Sequence, residues 1–251
     1  MLSVICPIYN EEEYINQCIE SILMQDYPKN DLEILFVDGM SKDKTRDIVK
    51  EYSEKYPFIH LLDNPKKIVP CAMNIGIKAS RGDIIIRLDA HANYEKNYFS
   101  VLSHRLIELG AENVGVVCKT DVLNKTPKTF AIREVLSNKF GVGNSIFRTG
   151  VDKVMEVDTV PFGCWRRDVF DKYGLYDERL IRNQDFELNY RIRKGSGRIF
   201  IVPDSNCTYY ARESFKKLWI QNYKNGLWGI RTVLFTGNSN SLALRHYIPM
   251  I

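Results

Sequence analysis

The sequence predicts an α/β fold in which a mostly parallel central sheet is covered by helices on both faces. Two observations carry this expectation. Runs such as "LSVICPI" at 2–8, "LEILFVD" at 32–38 and "DIIIRLD" at 83–89 have strand length and are apolar nearly throughout, as in strands buried on both faces. Segments of helical periodicity, about a dozen residues each, separate them, which is the pattern of parallel crossovers.

In order, the strand at 2–8 is followed by a helical pattern over 11–24, with Asn10 and Glu11 where that helix begins. The second strand, 32–38, leads to a helix over 43–56, with Ser41 or Asp43 as its cap. "FIHLL" reads as a third strand, "VPCAMNIGIKAS" as a third helix and "DIIIRLD" as a fourth strand. A helix over about 98–109 and the strand "VGVVC" follow. Beyond Lys119 the regularity is lost. "KTDVLNKTPKTFAIREVLSNKFGVGNSIFRTG" mixes a short helix with a Gly/Asn-rich stretch, and "DTVPFGCWRRDVFDKYG" reads as strand, turn and helix. "NQDFELNYRIRKGSG" is a helix ended by glycine, "RIFIVPD" a further strand, and "SFKKLWIQNYKNGLWGIRTVLF" an amphipathic segment.

A chain of 251 residues with 45% hydrophobic and 26% charged residues is that of an ordinary globular protein. The net charge of +4 is too small to argue for nucleic acid. The six cysteines (Cys6, Cys18, Cys71, Cys118, Cys164, Cys207) show no CxxC pair and no His at zinc spacing, so they read as reduced core thiols of a cytosolic chain. The sequence starts directly on a strand pattern, with no signal-peptide pattern. No apolar run is long enough for a membrane span. Its last residues, "LALRHYIPMI", read like a cut chain.

Parallel sheets bind ligands at the carboxyl ends of their strands, and several chemistry-bearing residues fall there. In "PIYNEEEY", Pro7 and Tyr9 bend the chain off the first strand, and a helix start at Asn10 and Glu11 offers N–H groups to phosphate. The plainer reading is an Asn cap with Glu complementing the helix dipole. Asp38 ends the second strand, where a carboxylate can accept a uracil imide N–H or a sugar hydroxyl. Turn chemistry through an Asx bond explains it equally well. In "IRLDAHANY", Asp89 and His91 alternate along extended chain, so both can face one side. A carboxylate suits Mg²⁺ or Mn²⁺, and an imidazole tilts the pair toward Mn²⁺. In "RNQDFELNYRIR", Glu187 has Arg191 four residues on as an ion-pair partner, whereas Asp185 has none in its own helix. Asp185 could serve as a general base for a hydroxyl nucleophile, but Asp is favoured at a helix start in any case, and on local sequence alone that plainer reading wins.

Together these pieces resemble an inverting family-two glycosyltransferase of GT-A fold. "SVICPIYNEEEYI" resembles the first donor-binding strand and loop, and "ILFVDGMSKDKT" the segment whose Asp contacts the base. "AMNIGIKASRGDIIIRLDAH" resembles the run from an Asn-x-Gly helix into the metal motif. "VPFGCWRRDVFDKYGLYDERL" followed by "NQDFELNYRI" is similar to the acceptor region and base-bearing helix. More narrowly, "RLDAHA", "FGVGNSIFRTG", "DTVPFG" and "LIRNQDFELNYRIR" resemble bacterial succinoglycan-type transferases of exopolysaccharide assembly.

The resemblance implies donor contacts at Pro7, Tyr9, Asn10, Glu11, Asp38, Asn74, Arg87 and Asp89, with Mn²⁺ or Mg²⁺ held by Asp89 and His91. It implies Asp185 as catalytic base and an acceptor side formed by Phe162, Gly163, Gln184, Gln221 and Trp228. One GT-A domain is expected, with residues 1–118 binding a nucleotide-sugar donor (UDP as default) and 119–212 a glycan or lipid-linked acceptor. Residues 213–251 form an amphipathic, membrane-proximal segment, in which Lys216, Lys217, Lys224, Arg231 and Arg245 interleave with Trp219, Leu227, Trp228, Leu234 and Leu244. That places the chain in the cytoplasm, at the inner face of the cell membrane.

Three departures stand out. The usual Asp-x-Asp motif has His91 at its third position, and the usual Glu-Asp of the base motif is Gln184–Asp185. The Gln-x-x-Arg-Trp motif of processive synthases is not intact in "QNYKNGLW", which argues for transfer of one sugar. A nucleotidyltransferase, or a nucleotide-sugar or carbohydrate-binding module without chemistry, are the alternatives. The first would want a Gly-rich basic loop after strand one, which "PIYNEEEY" lacks. A dehydrogenase is disfavoured because no GxGxxG follows a strand.

Overall fold

The computed structural model describes residues 1–138, 142 and 145–237. Four parallel strands form the first half of one sheet: β1 (Leu2–Ile8), β2 (Leu32–Asp38), β3 (Ile59–Asp63) and β4 (Ile84–Arg87), side by side in the order β3-β2-β1-β4. Helices α1 (Ile15–Leu23), α2 (Thr45–Lys55) and α3 (Val69–Ala79) lie in the connections between them. The sheet continues through β8 (Cys164–Arg166), inserted antiparallel between β4 and β6 (Asn113–Asp121). β9 (Ile199–Tyr210) runs parallel to β6, and β5 (Ala92–Tyr94) and β7 (Met155–Glu156) pair antiparallel with β9. The remaining helices are α4 (Tyr98–Glu108), α5 (Pro127–Ser137), α6 (Ile146–Thr149), α7 (Asp168–Tyr173), α8 (Gln184–Lys194) and α9 (Phe215–Thr236).

Strand alternation divides the core in two. Val4, Cys6 and Ile8 point to the face covered by α1, α2 and α4, where Ile15, Ile19, Val49, Phe99 and Leu102 bury against them. Ile5, Leu35, Val37 and Ile85 point to the other face, under Met73 and Ile77 of α3 and Leu188 and Ile192 of α8. A third, small cluster of Val122, Ile132, Ala211 and Leu218 fastens α9 and α5 to the sheet's end. All six cysteines are buried free thiols.

Several boundaries differ from the sequence expectation, each for a local reason. The first helix begins at Ile15, not at residue 11, because Asn10 adopts a left-handed backbone (φ 54°) and residues 11–14 form a turn. The fourth strand stops at Arg87, two residues early, because Asp89 leaves the ladder and its N–H donates to the Tyr94 hydroxyl at 2.8 Å. β9 runs on to Tyr210: its register with β6 jumps from Val116↔Val202 to Val117↔Asn206, so Pro203, Asp204 and Ser205 bulge out of the ladder. Within α9, Leu218 and Trp228 are buried, whereas Trp219 is 67% and Leu234 73% exposed. Leu244, Arg245 and part of the Gly/Asn-rich run (139–141, 143–144) lie outside the described residues.

Candidate active site

The carboxyl ends of β1, β2 and β4 enclose a cavity of about 140 Å³, lined among others by Pro7, Tyr9, Glu11, Gly39, Asn64, Arg87, Asp89 and His91. A second cavity, about 270 Å³, lies across Arg87 and Asp89 from the first. Its lining includes Arg148, Phe162, Arg182, Gln184, Asp185, Tyr209 and Asn225. Arg87 and Asp89 line both cavities. A larger hollow of about 520 Å³ lies elsewhere, among Asn93, Tyr94, Asn206 and Thr208 near the sheet's outer edge, away from Asp185.

Arg87 organises the junction. Its Nη1 donates to both carboxylate oxygens of Asp185 at 2.7 Å, and its Nη2 donates to Asp89 Oδ1 at 3.1 Å. Burial alone would depress the guanidinium, but the charges of Asp185 and Asp89 outweigh it and hold its pKa well above the usual arginine range. The backbone is pinned there as well. Arg87 N–H donates to the Gly163 carbonyl at 3.1 Å, and the Tyr94 hydroxyl donates to the Asp89 carbonyl at 3.1 Å. Burial pushes the Tyr94 phenol upward, so it stays a neutral donor and acceptor in this clasp. Tyr176 is buried beside the pair, its phenol raised by burial and by the Asp185 charge.

In the first cavity, Tyr9 rests over Gly39, where an added Cβ would meet the Tyr9 ring at 3.1 Å. Glycine there lets the β1 and β2 loops approach each other. His91 Nδ1 lies 3.6 Å from Glu11 Oε1. Burial pulls the imidazole down, yet the neighbouring Glu11 and Asp89 carboxylates outweigh it, and its pKa is raised. Asn64 is buried; its Nδ2 donates to the Ile68 carbonyl at 3.0 Å, while its Oδ1 has no partner within the protein. Such an atom in a cavity wall is open to accept a hydrogen bond from water or a ligand.

Among the described residues no three His, Cys, Asp or Glu side chains cluster closely enough to hold an ion by themselves. The donor set still fits Mg²⁺ or Mn²⁺. Such ions are held by one or two side chains with phosphate and water completing the shell, and Asp89 and His91 line the same cavity.

Four of the sequence assignments take a different form. Asp38 is fully buried, and its oxygens accept from Ser41 and from Arg46; it does not line the first cavity and instead holds the loop. Asn10 likewise braces that loop: its N–H donates to Ser41 Oγ at 2.8 Å and its Oδ1 accepts from Lys42 N–H at 2.9 Å. The N–H groups expected to be free for phosphate are occupied too, Glu11 N–H by Thr45 Oγ1 and Glu12 N–H by Asp43. Asn74 spans to the far segment, its amide exchanging hydrogen bonds at 2.9 Å with the Tyr176 backbone.

The acceptor-side residues divide. Phe162 and Gln184 line the second cavity. Phe162 sits in the left-handed region (φ 46°), at a cost of order 1–3 kcal/mol for such a residue, with its carbonyl accepting from the Tyr98 hydroxyl at 3.3 Å. Gly163 is packed so tightly on Trp165 and Asn113 that a Cβ would overlap both. Trp228 is buried beneath the Arg231 guanidinium and does not line the cavity. Gln221 lies beside Tyr209, and Asn225, itself exposed, is the α9 residue in the lining of the second cavity. Arg148, Arg182, Asn64, Tyr94 and Tyr176 were not singled out from sequence. The Asn-Pro turn in "LLDNPKK" marks Asn64 locally, but nothing local marks the others.

Known proteins resemble this chain in sequence and in fold. The profile of "Glycosyl transferase family 2" matches residues 3–174. The chain is 32% identical over 230 residues to a Methanococcus voltae dolichyl N-acetyl-alpha-D-glucosaminyl phosphate 3-beta-D-2,3-diacetamido-2,3-dideoxy-beta-D-glucuronosyltransferase, covering 90% of this chain and 71% of that protein. It is 30% identical over 234 residues to the succinoglycan biosynthesis protein ExoA of Rhizobium meliloti, covering 89% and 67%. A Pyrobaculum calidifontis mannosyltransferase, solved with GDP-Man and Mn²⁺, superposes with a TM-score of 0.67 at 18% identity, over 92% of this chain and 64% of the other. At that identity the likeness speaks for the fold alone, which is GT-A. The nucleotidyltransferase alternative is set aside by these matches. Both the profile and the relatives place this chain in glycosyltransferase family 2.

Proposed function

We propose that the chain moves one sugar from a nucleotide-diphosphate sugar to a hydroxyl of a glycan or lipid-linked acceptor, with inversion, in polysaccharide assembly. The observation that carries this reading is the meeting of two cavities at Arg87 and Asp89, with Asp185 on the far side. The donor occupies the smaller cavity and the acceptor the larger. UDP is the nucleotide we expect: a space of about 140 Å³ suits a single-ring base, and the unpartnered Oδ1 of Asn64 matches the imide N–H of uracil.

A sugar hydroxyl is a poor nucleophile near neutral pH. Asp185 accepts its proton as the oxygen attacks the anomeric carbon, the new C–O bond forms, and the bond to the diphosphate breaks with its electron pair. The nucleoside diphosphate departs, and one displacement inverts the anomeric centre. Asp185 and Asp89 are the carboxylates in the described lining of the second cavity, and Asp89 also lines the first, which leaves Asp185 to the acceptor. When bound at Asp89 and His91, Mn²⁺ or Mg²⁺ supplies positive charge to the leaving diphosphate. The burial of Trp228 supports single transfer over processive polymerisation.

A thermal-shift and calorimetric screen of UDP- and GDP-sugars with Mn²⁺, Mg²⁺ or EDTA tests the reading. A nucleotide sugar should stabilise the chain and lose affinity in EDTA. If no nucleotide sugar binds under any condition, the donor assignment is wrong.

Among the described residues no helix is long and apolar enough to cross a membrane. α9 nevertheless exposes Phe215, Trp219, Tyr223, Ile230 and Leu234 together with Lys216, Lys217, Lys224 and Arg231. A basic, apolar helix surface suits the face of an anionic bilayer, and we propose that the chain docks there to meet a lipid-linked acceptor. Cofractionation with anionic liposomes is expected, and should be lost when these four basic residues become Glu. Equal partitioning of parent and variant would sink the idea.

A further inference from the structure

The second cavity contains more positive charge than its carboxylates use. Three arginines and two aspartates line it, and both aspartates are engaged by Arg87. Arg148 and Arg182 are left without a carboxylate partner among the described residues. Arg148 Nη1 donates to Thr120 Oγ1 at 3.0 Å, and its guanidinium lies over the rings of Phe147 and Tyr209, 5.7 and 5.6 Å from their centroids. Arg182 Nη1 donates to Asn225 Oδ1 at 2.7 Å, a neutral group. Both side chains are half-buried. Burial, and then the neighbouring Arg212, pull the Arg182 guanidinium below its ordinary pKa, the opposite of what a bound carboxylate would do.

Holding two such cations in a partly desolvated cavity costs stability unless a ligand supplies the counter-charge. Their placement says where the counter-charge goes. Arg182 lies three residues before Asp185, in the bend that leads into α8, and Arg148 faces the same space from α6. The planar guanidinium forks favour oxyanions with paired acceptor oxygens.

We propose that Arg148 and Arg182 form an anion subsite for the acceptor, which therefore carries a phosphate or a sugar carboxylate next to the hydroxyl that reacts. This rests on the transferase reading of the site, in which the second cavity is the acceptor's. The two anions share one chemistry and differ in source: the phosphate of a lipid-linked sugar, or a uronic acid in the glycan.

Three probes of similar size separate these sources: phenyl phosphate, phenyl β-D-glucuronide and neutral phenyl β-D-glucoside. Each is titrated calorimetrically into the whole chain with UDP saturating the donor cavity. At least one anionic probe should bind about tenfold or more tightly than the glucoside, an advantage that charge-assisted bonds to two arginines supply. That advantage should shrink as salt is raised. Whichever anion wins identifies the source. Arg148→Gln and Arg182→Gln should each remove most of the anionic probe's advantage over the glucoside. Arg148→Lys and Arg182→Lys should retain part of it, which separates loss of charge from loss of fold.

Equal binding of all three probes, or a preference that survives both Gln substitutions, would overturn the subsite. So would weakened UDP binding in the Gln variants, since it would place these arginines on the donor. A parent chain that binds no UDP would instead count against the transferase reading, and the anion preference remains readable by itself.

Discussion

Asp185→Asn is expected to lower turnover by about 10²–10⁴-fold, the range a general base contributes. Asn keeps the shape of Asp and still hydrogen-bonds an acceptor hydroxyl, but it cannot take the proton. The structure adds a second effect that sequence spacing hides. Spacing alone makes Asp185 and Asp89 independent, so donor affinity would barely move. Arg87 joins them, donating to Asp185 at 2.7 Å and to Asp89 at 3.1 Å. Removing one carboxylate leaves more of the guanidinium's charge to the other, so metal-dependent donor affinity should fall several-fold as well. Glu187→Gln is the comparison. Glu187 is buried and bidentate to Arg191, at 2.7 and 2.8 Å, and Arg191 in turn donates to the backbone of residues 173–175. Its substitution should therefore lower the melting temperature, whereas Asp185→Asn should lower turnover in a chain that melts near the parent temperature. Near-parental turnover in Asp185→Asn together with an inactive but folded Glu187→Gln would move the base to the other carboxylate.

The second large effect is expected at Asp89. Asp89→Ala should abolish metal-dependent donor binding, because it removes the one carboxylate among the described residues that lines both cavities. It also leaves Arg87 with Asp185 as its sole carboxylate partner. His91→Ala should weaken donor binding and move the metal preference from Mn²⁺ toward Mg²⁺, because an imidazole ligand is lost. Donor titrations across the two metals and EDTA read both effects. Unchanged donor affinity of the parent chain in EDTA would refute a metal-bridged diphosphate at Asp89.

The strands were legible because burial on both faces leaves a local record. β1 and β2 coincide with "LSVICPI" and "LEILFVD", runs of apolar residues bounded by turn signals. The second half was not, because its strands are assigned by partners far along the chain. β8 is three residues long and exists as a strand only by inserting between β4 and β6. At the site, residue type and strand end together flagged Asp89 and His91, and the lack of an ion-pair partner in its own helix flagged Asp185. The pairing of Arg87 with Asp185 spans 98 residues, and no local spacing encodes it. Asp38 shows the converse limit: a carboxylate at a strand end looked available, and whether it is depended on Arg46 and Ser41 closing over it. Arg148 and Arg182 were invisible for a related reason, since an arginine becomes informative only when the structure shows that no carboxylate has claimed it.

The stereochemistry of the first product tests the account most directly. Slow turnover of an α-linked nucleotide sugar can be followed by real-time proton NMR, with water as acceptor if no other is supplied. The account predicts that the sugar released or transferred first is the β anomer, appearing ahead of mutarotation, and that Asp185→Asn slows its appearance. The α anomer as first product would contradict a single displacement assisted by Asp185.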